Sequence, residues 1–407
     1  MSANPVIVPD GYRPLTIEEV PDYVRARPHL SGLVPGDPLH VREVGDGNLN
    51  LVFIVRSDPD VPGVVLKQSL PWVRVFGEGW PLTIERARHE ADAYDVYRAF
   101  AGATNPVYHG FDPVRYVIAM EDLAVLRIWR TALDDGEIHA GVAAALGTFV
   151  ARVAFHTSDL GMPAQERKRL VARTVNPELC QITEDLVFTE PVRIHEHNRY
   201  LPALEGAVAA LRADRAVVDE LSRLKHRFMT HTEALIHGDL HSGSVMVGGG
   251  RTVAIDPEFA CTGPVGFDLG AMWGNGILAQ ARAVQLGRPA EFRAHIEAIL
   301  PDSWLAFRGE LWRLWPERVD DSFTDALLGD WERTLWDDAL GFAGAEMIRR
   351  LVGFAHASDI DTLDTTAQVA ATTAGLAVGR RLLLEHRTLT DPEAVRELVE
   401  ADLTGRR

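Results

Sequence analysis

Residues 235–247 read LIHGDLHSGSVMV and place His237, Gly238, Asp239 and His241 in a short polar loop between two apolar runs. The chain continues as SVMVGGGRTVAID over 244–256, two strand-like pieces joined by Gly248, Gly249 and Gly250. A glycine turn between β-prone runs predicts a hairpin, and a hairpin returns the chain to the end it left. Asp239, before the first strand, and Asp256, after the second, are therefore expected at one open end. Carboxylates brought together repel unless a cation lies between them or one is protonated. Glu258, two residues further in IDPEF, adds a third oxygen donor. Hard oxygen donors of this kind suit Mg²⁺, which combines one or two carboxylates with phosphate oxygens.

Upstream, HVREVGDGNLNLVFIVRS (40–57) holds two strand-like runs around a Gly-Asp-Gly-Asn turn, and VPGVVLKQSL (61–70) adds a third containing Lys67. Three successive strands predict an antiparallel sheet. In TIERARHEADAYDVY (83–97), Thr83 is the expected N-cap, and Ile84, Ala87, Ala91 and Tyr94 recur at helical spacing with Glu90 beside them. Further strands are expected at 106–108 and in RYVIAM (115–120), before Glu121, Asp122 and Leu123. Beyond that point the pattern turns helical, with long amphipathic stretches at 140–156 and 208–228. The expected organisation is an N-terminal lobe over 1–122 and a larger C-terminal lobe over 123–407.

Composition narrows the function. The 407 residues carry 58 acidic against 41 basic side chains, a net charge of −17, which argues against a nucleic-acid or anionic-membrane partner. The start lacks a basic region followed by an apolar run, no later stretch is apolar over a membrane-spanning length, and there are only two cysteines, so a cytoplasmic protein is expected.

Each element alone has an ordinary reading: Asp239 as a turn residue, Lys67 as a snorkelling surface lysine, Glu90 as a solvated helix residue, GDGNLN as a plain hairpin turn. Their order carries the weight. Glycine turn, strand lysine, helix glutamate, acidic hinge, H-G-D loop and aspartate-containing metal loop resemble the protein-kinase-like fold of the small-molecule kinases, which include the aminoglycoside and choline kinases. Within that group the chain resembles the methylthioribose kinases through GDGNLNLVF (45–53), MEDL (120–123), HGDLHSGS (237–244), DPEFA (256–260), GPVGFDLG (263–270) and EMIRRLVGFAH (346–356).

The resemblance implies a two-lobed α+β fold, with an antiparallel-sheet lobe and a mainly helical one. It implies ATP and Mg²⁺ as cofactors and a sugar as acceptor: 5-methylthioribose, phosphorylated at its 1-hydroxyl in methionine salvage. Alternatives are a kinase for another 5-substituted ribose, an aminoglycoside-type phosphotransferase, or an inactive nucleotide-binding protein. Lys67, oriented by Glu90, would meet the nucleotide phosphates; Asn50 and the backbone of Gly47 and Asn48 would cover them. Met120 would lie against adenine at the hinge of Glu121, Asp122 and Leu123. In the Asp256-Pro257-Glu258 loop the two acids would hold Mg²⁺. Asp239 would orient the attacking hydroxyl and accept its proton, and Arg349 and Arg350 would bind the sugar hydroxyls. His237 is expected to pack the loop and Asp268 to brace it, and the family implies a homodimer. Two departures stand out: Ser244 occupies the place where many relatives have a metal-binding asparagine, and 126–129, just past the hinge, does not match the polar sequence expected there.

Overall fold

The computed structural model describes residues 6–45, 49–74 and 77–405; Gly47 and Asn48, both expected over the triphosphate, lie outside them. The N-terminal strands β1 (His40–Glu43), β2 (Asn50–Arg56) and β3 (Val64–Ser69) form an antiparallel meander. A helix, α1 (Arg86–Phe100), separates them from β4 (Tyr108–Asp112) and β5 (Val117–Glu121), and the five strands pair in the order β1-β2-β3-β5-β4. Alternation along β3 decides which side chain meets which layer. Val64 and Leu66 join Leu15, Val20 and Leu30 on one face; Lys67 lies on the other, toward α1.

α1 starts later than the sequence suggests. Thr83 and Ile84 precede it, and the Thr83 hydroxyl accepts from the Glu85 N–H at 3.2 Å in a local turn. The reason lies in Arg86, whose fully buried guanidinium donates to the Leu49 and Leu70 carbonyls and to Asn50 Oδ1. A buried guanidinium must have its donors satisfied, and seating it sets where the first turn begins.

After β5 the chain enters a three-stranded sheet, with β6 (Arg127–Ile128) pairing beside the hairpin β8 (Val245–Gly248) and β9 (Arg251–Ala254). The departure at 126–129 is thereby explained: Leu126 and Trp129 are buried where the segment crosses the hairpin, while Arg127 between them is exposed and pairs with Asp135. Trp129 opens α2 (Trp129–Asp135), followed by α3 (Val142–Thr157) where the stretch 140–156 predicted a helix. The stretch 208–228 is two helices, Glu205–Ala213 and Arg215–Thr230. Asp214 breaks it, since its carboxylate accepts from the Ala216 and Val217 N–H groups and caps the second helix.

β7 (Ala234–Ile236) pairs with β10 (Cys261–Gly263), so the loops 237–244 and 255–260 leave the same strand pair from one end. Behind them, α4 (Gly266–Gln285) packs on α5 (Asp325–Val352), and α5 on α6 (Thr365–Glu385). Gly266, Gly270 and Gly274 line the α4 face at four-residue spacing. A Cβ on any of them would lie within 3.0 Å of the α5 backbone around Leu335, Ala339 and Ala343. That close approach sets α5, and the arginines near its end, against the loop.

Candidate active site

The loop at 237–244 is fixed from beneath. Gly238 has φ +80, and a Cβ there would lie 2.4 Å from the Phe259 carbonyl, so glycine is required both by conformation and by space. One Asp268 oxygen accepts from the His237 N–H at 2.7 Å and the other from the Gly238 N–H at 2.9 Å. Burial pushes the Asp268 carboxyl up to about 7, against the pull of those two donors. His237 is buried with Nε2 2.9 Å from the Ile255 carbonyl; an acceptor there places the ring proton on Nε2. Burial carries this imidazole down to about 4, so it is neutral.

Asp239 belongs to a closed polar ring. Its Oδ2 is 3.2 Å from His241 Nε2, and its Oδ1 accepts from Arg349 Nη2 at 3.1 Å. His241 Nδ1 accepts from the Gly243 N–H at 2.9 Å, leaving Nε2 to donate to the aspartate, and lies 3.4 Å from Arg130 Nη2. Arg130 donates to Asn275 Oδ1 at 2.5 Å, and Asn275 donates to Glu346 Oε1 at 2.9 Å. Glu346 Oε2 accepts from Arg349 Nε at 2.5 Å, closing the circuit. Burial alone raises the Asp239 carboxyl, but His241, Arg349 and Arg350 outweigh it and hold the group well below the usual carboxylate range. Glu346 is likewise carried to about 2, the two arginines overcoming its burial.

The adjacent arginines therefore do not diverge. Both turn to Glu346, Arg350 through Nε at 2.8 Å; Arg350 also donates to the Ala355 carbonyl, while Arg349 alone reaches Asp239. Arg130, Asn275 and Glu346 were not singled out as functional in the sequence. Glu346 lay inside the EMIRRLVGFAH match; Arg130 and Asn275 sit in two other helices, outside every matched motif, and give no pattern.

A second cluster joins the sheet to the hairpin end. Lys67 Nζ donates to Glu90 Oε2 at 2.6 Å and is paired with Asp256 Oδ1. Glu258 Oε2 accepts from Asn50 Nδ2 at 3.0 Å and lies 3.4 Å from Arg86 Nε. Glu90, Asp256 and Glu258 each present a carboxylate oxygen, and the three lie within 4.8 Å of one another. Burial pushes the Glu90 carboxyl up, with Lys67 opposing it. Asp256 adopts φ +69, and its N–H donates to the Tyr94 hydroxyl at 3.1 Å. Pro257 is buried at the start of the following turn.

At the hinge, Met120 and Leu123 are buried. Glu121 pairs through its carboxylate with Arg251 at 2.7 Å, and its N–H donates to the Val107 carbonyl. The Asp122 carboxylate accepts from Arg56, Gly63 and Ala124, which ties the hinge to the β2–β3 turn. Ser244 is buried, its backbone N–H donating to the His241 carbonyl and its carbonyl accepting from Ile255.

Residues 40–302 match the phosphotransferase enzyme family. The chain is 40% identical to a methylthioribose kinase of Geobacillus kaustophilus (strain HTA426) over 390 residues, 95% of this chain and 96% of that protein. It is 40% identical to a methylthioribose kinase of Cronobacter sakazakii (strain ATCC BAA-894) over 384 residues, 92% of this chain and 94% of the other.

Proposed function

The chain belongs to the phosphotransferase enzyme family and, within it, to the methylthioribose kinases, and from that membership we propose how its residues divide the work. The reaction is ATP-dependent, Mg²⁺-requiring phosphorylation of 5-methylthioribose, at the 1-hydroxyl, in methionine salvage. Phosphoryl transfer passes through a loose, highly charged transition state, so the protein's task is positioning and charge neutralisation.

Glu90, Asp256 and Glu258 offer the hard oxygen donors that suit Mg²⁺, and Asp256 and Glu258 are the residues assigned to hold it. Bound there, the ion supplies charge neutralisation at the phosphate oxygens. Lys67 meets the phosphates while Glu90 orients it; Asn50, Gly47 and Asn48 cover them, and Met120, Glu121 and Leu123 frame the base. Asp122 serves the hinge through its own carboxylate contacts. Residues 1–122 form the nucleotide lobe and 123–407 the lobe that carries the loop and the sugar.

One observation carries the acceptor side: Arg349 Nη2 lies 3.1 Å from Asp239 Oδ1. An arginine from α5 thus converges on the loop aspartate, where the attacking hydroxyl must sit. Asp239, held anionic, orients that hydroxyl and takes its proton as the bond to phosphorus forms. Arg349 presents its remaining donors to the sugar, and Arg350 positions it through Glu346. The enzyme is proposed to act as a cytoplasmic homodimer; two free cysteines fit a reducing compartment, and light scattering reads the mass directly.

A coupled ADP-release assay with ribose, 5-deoxyribose and 5-methylthioribose tests the substrate. An apolar pocket discriminates by roughly 1–3 kcal/mol, about 10- to 200-fold, per methylene-sized group, and 5-deoxyribose lacks two such groups, the sulfur and its methyl, so kcat/KM should favour 5-methylthioribose over it by about 100-fold or more. Equal use of the three sugars would defeat the assignment.

A further inference from the structure

Among the described residues a second group of potential metal ligands shares no residue with the carboxylate cluster: Glu190, His195 and His197. Their ligand atoms also lie within 4.8 Å of one another. Glu190 Oε2 is 2.9 Å from His197 Nδ1 and 3.4 Å from His195 Nδ1. Donors bound tetrahedrally to an ion at the Zn–N distance are separated by about 3.3 Å, so a cation could take its place between these three with little movement.

The segment is preformed. The Asn198 side-chain amide donates to the Glu190 carbonyl at 2.7 Å and to the Arg193 carbonyl at 2.8 Å, which closes the loop on itself. Glu190 is buried, whereas the His195 side chain is 36% exposed and leaves a route for an ion from solvent. The His197 ring is held by stacking on Trp80 at 5.2 Å and by contact with Phe354 at 5.4 Å. His195 Nδ1 also accepts from the His197 N–H at 3.3 Å, a long contact that a bound ion would replace.

We propose that Glu190, His195 and His197 bind one divalent cation of the zinc class, with two neutral imidazoles and one carboxylate as ligands and water completing the shell. Two nitrogen donors in three select a borderline-soft ion; Mg²⁺, which demands oxygen, is not the occupant. Phe354 follows the arginine pair by four residues, so the ion would lie beside the sugar side of the cleft rather than in the phosphate site.

The test is a calorimetric titration of the metal-stripped full-length protein with Zn²⁺ in excess Mg²⁺, repeated with Co²⁺ under visible absorption. One equivalent per chain is expected. Removing a ligand should cost at least what loss of a supporting partner costs, so His195→Ala and Glu190→Gln should each weaken Zn²⁺ binding more than about tenfold. Both should erase the Co²⁺ band, while circular dichroism of the exposed His195→Ala variant stays that of wild type. Asp256→Ala should leave Zn²⁺ affinity unchanged. No Zn²⁺ binding by wild type, undiminished binding in both ligand variants, or loss of binding in Asp256→Ala would each overturn the site.

Discussion

Asp239 accepts from an arginine on one oxygen and faces a neutral imidazole on the other, which makes it a fixed anion and a modest base. Asp239→Asn keeps the shape and removes the charge. Its kcat should fall at least about a hundredfold, the scale of a lost proton acceptor, with nucleotide affinity near wild type in a fluorescence titration. A kcat near wild type would remove Asp239 from the chemistry. His237 makes a statement about acid. Folded, this ring sits at about 4 because burial opposes its charge, against 6.5 in the unfolded chain. Acid therefore protonates the unfolded chain first, so its contribution is complete above pH 6.5 and is lost as the pH falls from there through 4. The loss from this ring should reach about 3 kcal/mol, read as the part of the pH dependence of the urea midpoint that disappears in His237→Gln, since Asp268, raised to about 7, works in the opposite direction over the same window; an unchanged pH dependence in the variant would mean that the imidazole is charged in the folded state. The loop that holds Asp239 was legible because His237 and Gly238 are its neighbours in sequence. The ring around it was not, since Arg130, Asn275 and Glu346 come from three separate helices and no spacing connects them.

The β8–β9 hairpin was readable as an element because its glycine turn and β-branched runs are local signals, and the pairing of β7 with β10 then gathers its two flanking loops. Helix limits were less readable. Asp214 ends one helix and caps the next inside an amphipathic pattern that runs on unbroken, and the start of α1 is set by the acceptors that Arg86 finds on β2 and beyond β3. The contact of α4 with α5 depends on glycines, and its tolerance is small. At Gly270 a Cβ would lie 2.7 Å from the Ala339 carbonyl and from Phe342 Cβ. Gly270→Ala should destabilise the fold by about 1–3 kcal/mol in equilibrium denaturation, the usual cost of overpacking. It should also lower kcat, since the same interface carries the 2.9 Å bond between Asn275 and Glu346. Wild-type stability and turnover together would show that the helices yield freely.

Across the whole molecule, the two lobes meet at a lysine. Lys67 from the sheet holds Glu90 on α1 and Asp256 beyond the hairpin, residues far apart in sequence. Lys67→Met leaves Glu90 buried without its partner, a loss of about 3–5 kcal/mol in denaturation. Glu90→Gln introduced into that variant should restore part of it, and no recovery would mean that the lysine acts through Asp256. Composition and motif order made this architecture legible, whereas the partners of Arg86 and of Asp122 needed the chain to be folded. Lys67 and Arg86 set two cations among the three carboxylates Glu90, Asp256 and Glu258. On the proposed assignment, a nucleotide arriving alone would meet a lysine already engaged by Asp256, and a free Mg²⁺ would meet that carboxylate already neutralised. A phosphate held by Lys67 would release Asp256 to hold the metal. Each ligand would then tighten the other by the same factor, and the paired charges of the resting cleft would act as a thermodynamic gate that opens to the metal–nucleotide complex.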